Sequence, residues 1–149
     1  MNRNILFSLL FILMLLFIGC KGDDSNCCPN PNPTNCNKFS VIDETKYQQT
    51  NTNNYTITNV VLNGDCLEIT LSSSGCNRNN WNMNFIASEA VVETLPIQWY
   101  TKVELINNEA CQAVFQKTVS FDLTPLKDAG KNQVQINIQG WNTSIMYQY

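Results

Sequence analysis

Cysteine is the residue type in this chain with the most potential for chemistry. The sequence contains seven cysteines and no histidine. Without imidazole, the Ser-His-Asp and Cys-His catalytic pairs are excluded, and so is a histidine general base. Thiolate zinc sites need the paired C-x₂₋₄-C spacing, which Cys27, Cys28 and Cys36 do not supply. The cysteines therefore predict disulfides and no metal site.

Four carboxylates are the other candidates for catalysis, and they form no recognisable constellation. A glycosidase needs two carboxylates about 5–9.5 Å apart, and the plausible positions are Glu89, Glu93, Glu104 and Asp122. We predict Glu104 on the polar face of a strand and Asp122 as the cap of the turn before Pro125. The chain also lacks the calcium-loop and phosphate-loop motifs. The sequence therefore predicts no catalytic residue, no cofactor and no enzymatic activity.

Aromatic side chains offer a different chemistry, because sugars stack on exposed rings. Trp99 shares a face with apolar neighbours and is predicted in the core. Trp81 follows an Asn-rich loop, Trp141 follows Gly140 at a strand end, and Tyr100 must face outward if Trp99 faces inward. We therefore predict a ligand surface at one loop end, built from Trp81, Tyr100 and Trp141 with asparagine amides.

Period-two alternation predicts the strands that would position these side chains. Between Pro96 and Ile106, for example, Ile97 and Trp99 alternate with Gln98 and Tyr100. Similar patterns occupy residues 67–71, 111–121 and 134–138, and weaker ones occupy residues 55–62, 81–87 and 143–149. About seven short strands with turns between them predict an all-β, two-sheet immunoglobulin-like sandwich, with a small β-barrel as the runner-up.

Turn residues separate the predicted strands. Asn63-Gly64-Asp65 predicts a hairpin turn, and Asn107-Asn108-Glu109 is predicted to join the next pair of strands. Residues 39–50 fit either a strand or a short helix. A length of 149 residues allows one such domain, and a net charge of −3 gives no electrostatic basis for binding nucleic acid.

The N-terminus has the features of a targeting segment. Arg3 precedes an uncharged run of 14 residues, 5–18, which is shorter than the roughly 20 residues of a spanning helix. Gly19-Cys20 then ends the run and resembles the lipobox of bacterial lipoproteins. The resemblance implies a signal peptide at residues 1–19 and a Cys20 that carries diacylglycerol and an amide-linked acyl chain such as palmitate. An ordinary secretory signal and an uncleaved anchor are the alternatives.

Residues 20–37 are predicted to tether a domain at residues 38–149 to the membrane. Pro29, Pro31 and Pro33 predict a stiff, extended spacer. The stretch from Lys21 to Ser25 resembles the short acidic export signal of Bacteroidota surface lipoproteins, and a solvated acidic linker is the alternative. The predicted localisation is the outer membrane, lipid-anchored, with the domain at the cell surface.

With Cys20 lipidated, six cysteines remain, and six allow 15 pairings. One of the adjacent residues Cys27 and Cys28 could close a short ring with Cys36. Cys76 and Cys111 could join strand ends, and Cys66 would then meet the remaining tether cysteine.

Residues from about 55 to 149 resemble a family of small, uncharacterised Bacteroidota lipoproteins. The resemblance is carried by the segment from Asn63 to Ile69, by Gly75-Cys76, by Cys111 after a polar turn, and by the segment from Phe121 to Leu126. It implies a Cys76–Cys111 pair and brings no activity. Family members have a histidine after the Gly-Cys pair, where this chain has Asn77-Arg78-Asn79-Asn80-Trp81.

Together these features predict a lipid-anchored binding or adhesion module with a glycan or protein ligand. An accessory or structural subunit of an envelope complex is the first alternative. A protease-inhibitor-like module is the second.

Overall fold

Alternating apolar and polar side chains produce nine strands in the computed structural model, which describes residues 35–149. The signal peptide, Cys20, Cys27, Cys28 and the proline-containing spacer lie outside the described residues. The strands are β1 (Lys38–Phe39), β2 (Val41–Ile42), β3 (Thr56–Asn63), β4 (Cys66–Gly75), β5 (Asn82–Ala87), β6 (Ile97–Ile106), β7 (Ala113–Asp122), β8 (Gln133–Ile138) and β9 (Ile145–Gln148). Helix α1 spans Glu44–Gln49, and two 3₁₀ turns span Arg78–Asn80 and Thr124–Leu126.

The strands form two sheets, which confirms the predicted all-β sandwich. The first sheet has the order β1-β7-β4-β3, and the second has the order β2-β5-β6-β8-β9. Three pairs are parallel, namely β1–β7, β2–β5 and β6–β8, and the others are antiparallel. The described strands stay in two separate sheets and do not close into the alternative barrel. The additional strands relative to the expected seven are the two-residue strands β1 and β2.

The core lies between the inner faces of the two sheets. Phe85 of β5 stacks on Phe121 of β7 with ring centroids 5.6 Å apart, so the sheets contact each other directly. Burial of these apolar side chains is the main favourable contribution to folding. Other fully buried members are Leu67, Ile69, Leu71, Val103, Leu123, Leu126, Val134, Ile136 and Tyr147.

The ambiguous segment at residues 39–50 contains both a strand and a helix. The chain leaves the first sheet at Ser40, whose N–H and hydroxyl both donate to the carbonyl of Asp122 (3.0 and 2.7 Å). It then pairs with the edge of the second sheet as β2. Asp43 caps α1 by accepting from the N–H of Lys46 at 2.9 Å. A two-residue strand is too short for the period-two pattern to detect.

The two predicted turns have different outcomes. Asn63-Gly64-Asp65 joins β3 and β4 as a hairpin, and Gly64 takes the positive φ of +58° that the turn needs. The segment that follows β6 instead crosses between sheets, because β6 belongs to the second sheet and β7 to the first. Asn107 and Glu109 therefore belong to an inter-sheet connection. Within residues 35–149, no helix has the length and apolar character to cross a membrane.

Two disulfides among residues 35–149 hold the ends of the sandwich. Cys76–Cys111 joins the end of β4 to the connection before β7, the pairing that the family resemblance implied. Cys36–Cys66 joins the start of the domain to the first residue of β4. The prediction that Cys36 and Cys66 each pair with Cys27 or Cys28 is therefore wrong. β1 begins two residues after Cys36 and pairs with the end of β7, where Asp122 also pairs with Cys66 of β4. The fold therefore brings Cys36 itself close to Cys66.

Candidate functional site

The three aromatic residues of the predicted ligand surface are not brought together. Trp81 is 2% exposed and belongs to the core, so it is removed from that surface. Trp141 is partly buried beside Ile57 at a different place on the sandwich. Tyr100 is 43% exposed on the outer face of the second sheet. Trp99 packs against the core, and its indole N–H donates to the carbonyl of Leu126 at 3.0 Å.

Trp81 is buried because a carboxylate satisfies its indole. Oε2 of Glu109 accepts from Nε1 of Trp81 (3.1 Å) and from the N–H groups of Cys76 and Asn77 (2.8 and 2.9 Å). These hydrogen bonds, foremost that of Asn77, hold the pKa of Glu109 below its usual value. Gly75 is required beside them, because a Cβ there would lie 2.5 Å from Oε2 of Glu109. Glu109 is therefore a structural residue, which its sequence position did not reveal.

The four acidic residues considered for catalysis either make structural hydrogen bonds or lie in a loop. Asp122 caps its turn as predicted, because Oδ1 accepts from the N–H of Thr124 at 2.8 Å. Glu104 accepts from the side chain of Asn84 at 2.7 Å on the outer strand face. Glu89 and Glu93 lie in the loop between β5 and β6. Across residues 35–149, no three acidic or cysteine side chains are arranged to hold a metal ion.

A cleft of about 460 Å³ lies at the Cys36–Cys66 disulfide. Its carboxylates are Asp65, Glu68 and Asp122. Asp65 is bound by the ammonium of Lys127 (3.0 Å) and by the hydroxyl of Tyr147. These contacts give Asp65 a structural role.

A network of amide side chains covers part of the outer face of the second sheet. Nε2 of Gln135 donates to Oε1 of Gln98 (3.3 Å), to Oδ1 of Asn137 (3.0 Å) and to Oγ of Ser144 (3.2 Å). Nδ2 of Asn137 donates to Oε1 of Gln98 (3.3 Å), and Ser144 donates to Oδ1 of Asn137 (2.7 Å). Each amide fixes the orientation of the next, so the network presents its remaining donors and acceptors in set directions.

Two tyrosines continue this surface beside the amides. Tyr100 and Tyr47 line an open cleft of about 300 Å³ together with Asn137 and Gln139. We call Tyr47, Gln98, Tyr100, Gln135 and Asn137 the aromatic–amide face. Tyr100 pairs in register with Asn137 across β6 and β8, so ring and amide are direct neighbours.

Helix α1 brings Tyr47 to this face. Nζ of Lys102 donates to the carbonyl of Tyr47 at 2.8 Å and lies 4.4 Å from its ring centroid. Glu44 accepts from the hydroxyl of Ser88 (2.5 Å) and fixes the other end of the helix. Burial, reinforced by Glu44, raises the pKa of the Tyr47 phenol above its usual value.

The chemistry of the aromatic–amide face suits a neutral ligand rich in hydroxyl groups. Amides both donate and accept hydrogen bonds, and a phenol ring offers an apolar surface with a polar end. Tyr100 was recognised from sequence, whereas Gln98, Gln135 and Tyr47 were not. The alternation in the sequence placed Gln135 and Asn137 on one strand face, but it did not show which residues from other parts of the chain lie beside them.

Comparisons with known proteins show similarity of fold. No protein-family model matches the chain, and no curated protein matches it. A protein of unknown function DUF1344 from Bacteroides vulgatus aligns with 75% of this chain at 13% identity and a TM-score of 0.52. A NigD-like immunity protein from Bacteroides caccae aligns with 72% at 12% identity and a TM-score of 0.53. The matched regions span 56% and 57% of those chains, which is less than two thirds of their length.

Proposed function

We propose that this protein is a lipid-anchored binding module of the bacterial cell surface that holds a neutral glycan on its aromatic–amide face. The observation that carries the proposal is the connected amide network beside the exposed ring of Tyr100. Neither of the two structures compared above bears the name of an enzyme, which accords with a non-catalytic role.

Anchoring through Cys20 is the second part of the proposal. It is supported by the resemblance of Gly19-Cys20 to a lipobox and by the uncharged run that precedes it. Two or more acyl chains hold a protein on a membrane far more firmly than one. The acidic stretch after Lys21 supports export of the domain to the outside of the cell.

The protease-inhibitor alternative receives no support from the disulfide-held loop. Residues 76–81 contain the short 3₁₀ turn Arg78–Asn80 between β4 and β5. The guanidinium of Arg78 donates to the carbonyl of Gln116 at 3.3 Å, so this loop is attached to β7 and does not protrude as an extended segment.

We expect Tyr100→Ala and Asn137→Ala each to weaken glycan binding about tenfold, the equivalent of about 1.4 kcal/mol. The first change removes the stacking surface, and the second removes an amide that also orients Gln98 and Gln135. Binding would be measured on arrayed neutral and acidic polysaccharides and then by calorimetry with the best ligand. Gln116→Ala is the matched control, because Gln116 is an exposed amide on the other sheet. Equal binding by all three variants, or no glycan bound by the wild type, would reject this ligand.

We expect cells grown with labelled palmitate to incorporate the label into the wild-type protein and not into Cys20→Ala. A tag after Tyr149 would report the face of the membrane when intact cells are treated with protease, with a periplasmic protein as the internal control. Loss of the tag with survival of the control is the expected result. Protection of the tag until lysis would instead place the protein with periplasmic envelope complexes and favour the subunit alternative.

A further inference from the structure

Leu95 has the highest exposure, 88%, among the large apolar side chains of the described residues. It lies in the loop between β5 and β6, and this loop is ordered by hydrogen bonds. The N–H of Val92 donates to the carbonyl of Gln98, and the N–H of Gln98 donates back to Val92, each at 3.0 Å. Thr94 also donates to the carbonyl of Pro96 at 2.6 Å. The fold therefore presents Leu95 at the tip of a closed turn, although water is an unfavourable surrounding for it.

This loop is at the end of the sandwich where the preceding chain joins the domain. Leu95 lines a cleft with Asp128 and Lys131. Lys127, from the same connection as those two residues, binds Asp65 at 3.0 Å, and Asp65 directly precedes Cys66. Cys66 is joined to Cys36 by the disulfide. We call this end, formed by Cys36, residues 63–65, residues 88–96 and residues 123–132, the tether pole.

The length of the chain before Cys36 limits how far the tether pole can move from a membrane. Cys36 is sixteen residues after Cys20, so even a fully extended tether spans no more than about 60 Å. An anchored domain therefore samples the bilayer at a high effective concentration, and a weak contact suffices to hold it there. The Cys36–Cys66 disulfide fixes the first described residues of the domain at the tether pole.

The charges of the tether pole favour a contact with uncharged lipid. Lys131 lies in the same cleft as Glu93 and Asp128, and the ammonium of Lys127 is neutralised by Asp65. Within residues 63–65, 88–96 and 123–132, carboxylates outnumber ammonium groups by four to two, so the pole carries net negative charge and does not select anionic headgroups. Attraction must come from apolar side chains, chiefly Leu95 with Val92, and it should depend little on salt.

We propose that the tether pole rests on the lipid surface, with Leu95 inserted among the headgroups. This inference rests on the proposed lipid anchor. Contact at this pole would turn the Cys76–Cys111 end outward, because β4 runs from Cys66 at one end to Gly75 at the other. The aromatic–amide face would then stand along the side of the sandwich, open to ligands.

The test uses tryptophan at position 95 and vesicles of phosphatidylcholine with dibrominated chains, which quench nearby indoles. The chain from residue 20 onward would be held on the vesicles by an N-terminal polyhistidine and a nickel-chelating lipid. The chain has no histidine of its own, so the nickel-chelating lipid binds only the added polyhistidine. Attachment through this tag does not require lipidation at Cys20. All the described core residues and both described disulfides lie within residues 35–149, so this protein retains the fold.

We expect Leu95→Trp to lose emission on brominated vesicles relative to unbrominated ones, beyond any loss seen for the wild type. Val114→Trp is the matched control, because Val114 is 71% exposed and lies at the opposite end, paired with Ser74. Equal quenching of the two variants, or none for Leu95→Trp, would overturn the contact. A failed palmitate label with positive quenching would reject the natural anchor and leave the membrane-contact surface intact. Incorporation of the palmitate label without quenching of Leu95→Trp would support the lipid anchor and reject the membrane contact.

Discussion

We expect Trp81→Ala to lower the free energy of unfolding by about 3–5 kcal/mol, the usual cost of deleting a large buried aromatic side chain. Trp81 is almost completely buried and belongs to the core between the sheets. Its loss also removes the indole N–H that donates to Oε2 of Glu109. That carboxylate oxygen also accepts from the N–H groups of Cys76 and Asn77. Because domains are stable by only about 5–15 kcal/mol, this single change would remove a large part of the total.

The measurement is urea unfolding followed by circular dichroism, so that removal of a fluorophore does not affect the signal. Trp81→Phe should cost less, because it keeps an aromatic ring in the core and loses only the indole N–H and some volume. Trp141→Ala is the control for deletion of an indole, because Trp141 is partly buried. Equal losses for Trp81→Ala and Trp141→Ala would contradict the position of Trp81 in the core.

Removal of either disulfide is expected to lower the free energy of unfolding by about 3–4 kcal/mol. The bonds connect residues that are 30 and 35 positions apart, and closing loops of this size restricts the unfolded chain by about that amount. The variants are Cys36→Ser with Cys66→Ser, and Cys76→Ser with Cys111→Ser, so that neither partner of the removed bond is left as an unpaired thiol. Urea unfolding of the oxidised wild type and of each double variant gives the differences.

Peptide mapping without reduction checks the connectivity behind this prediction. We expect one disulfide-linked peptide pair that contains Cys36 and Cys66 and another that contains Cys76 and Cys111. A peptide that joins Cys36 to Cys27 or Cys28 would contradict the structure and restore the pairing first expected from the sequence. A double variant that unfolds at the same urea concentration as the wild type would contradict the stabilising role of that bond.

The strands that could be predicted are those whose pattern is local. Residues 97–106 alternate because β6 has one face toward the core, and the buried positions Val103 and Leu105 fall where the period of two puts them. Residues 133–138 behave in the same way. Turn chemistry at Gly64 was equally local. Each of these features depends on neighbours in sequence, which is why a single chain was enough to find them.

Trp81 shows why the candidate site could not be predicted in the same way. Its neighbours in sequence are polar asparagines, which suggested exposure. Its burial depends on Glu109, which is 28 positions away and reaches it only because the connection after β6 crosses to the other sheet. Tyr100 was correctly placed outward because its orientation follows from the alternation of its own strand.

The sequence by itself determined that the chain is rich in strands, that its chemistry excludes imidazole, and which residues alternate on each strand. The tertiary structure decided that Cys36 meets Cys66, that Glu109 closes over Trp81, and that Gln98, Gln135 and Ser144 share one network. The physical reason is that alternation sets the face on which a side chain lies, whereas sheet order sets its neighbours on that face. Sheet order results from packing among all the strands together, so no local pattern contains it.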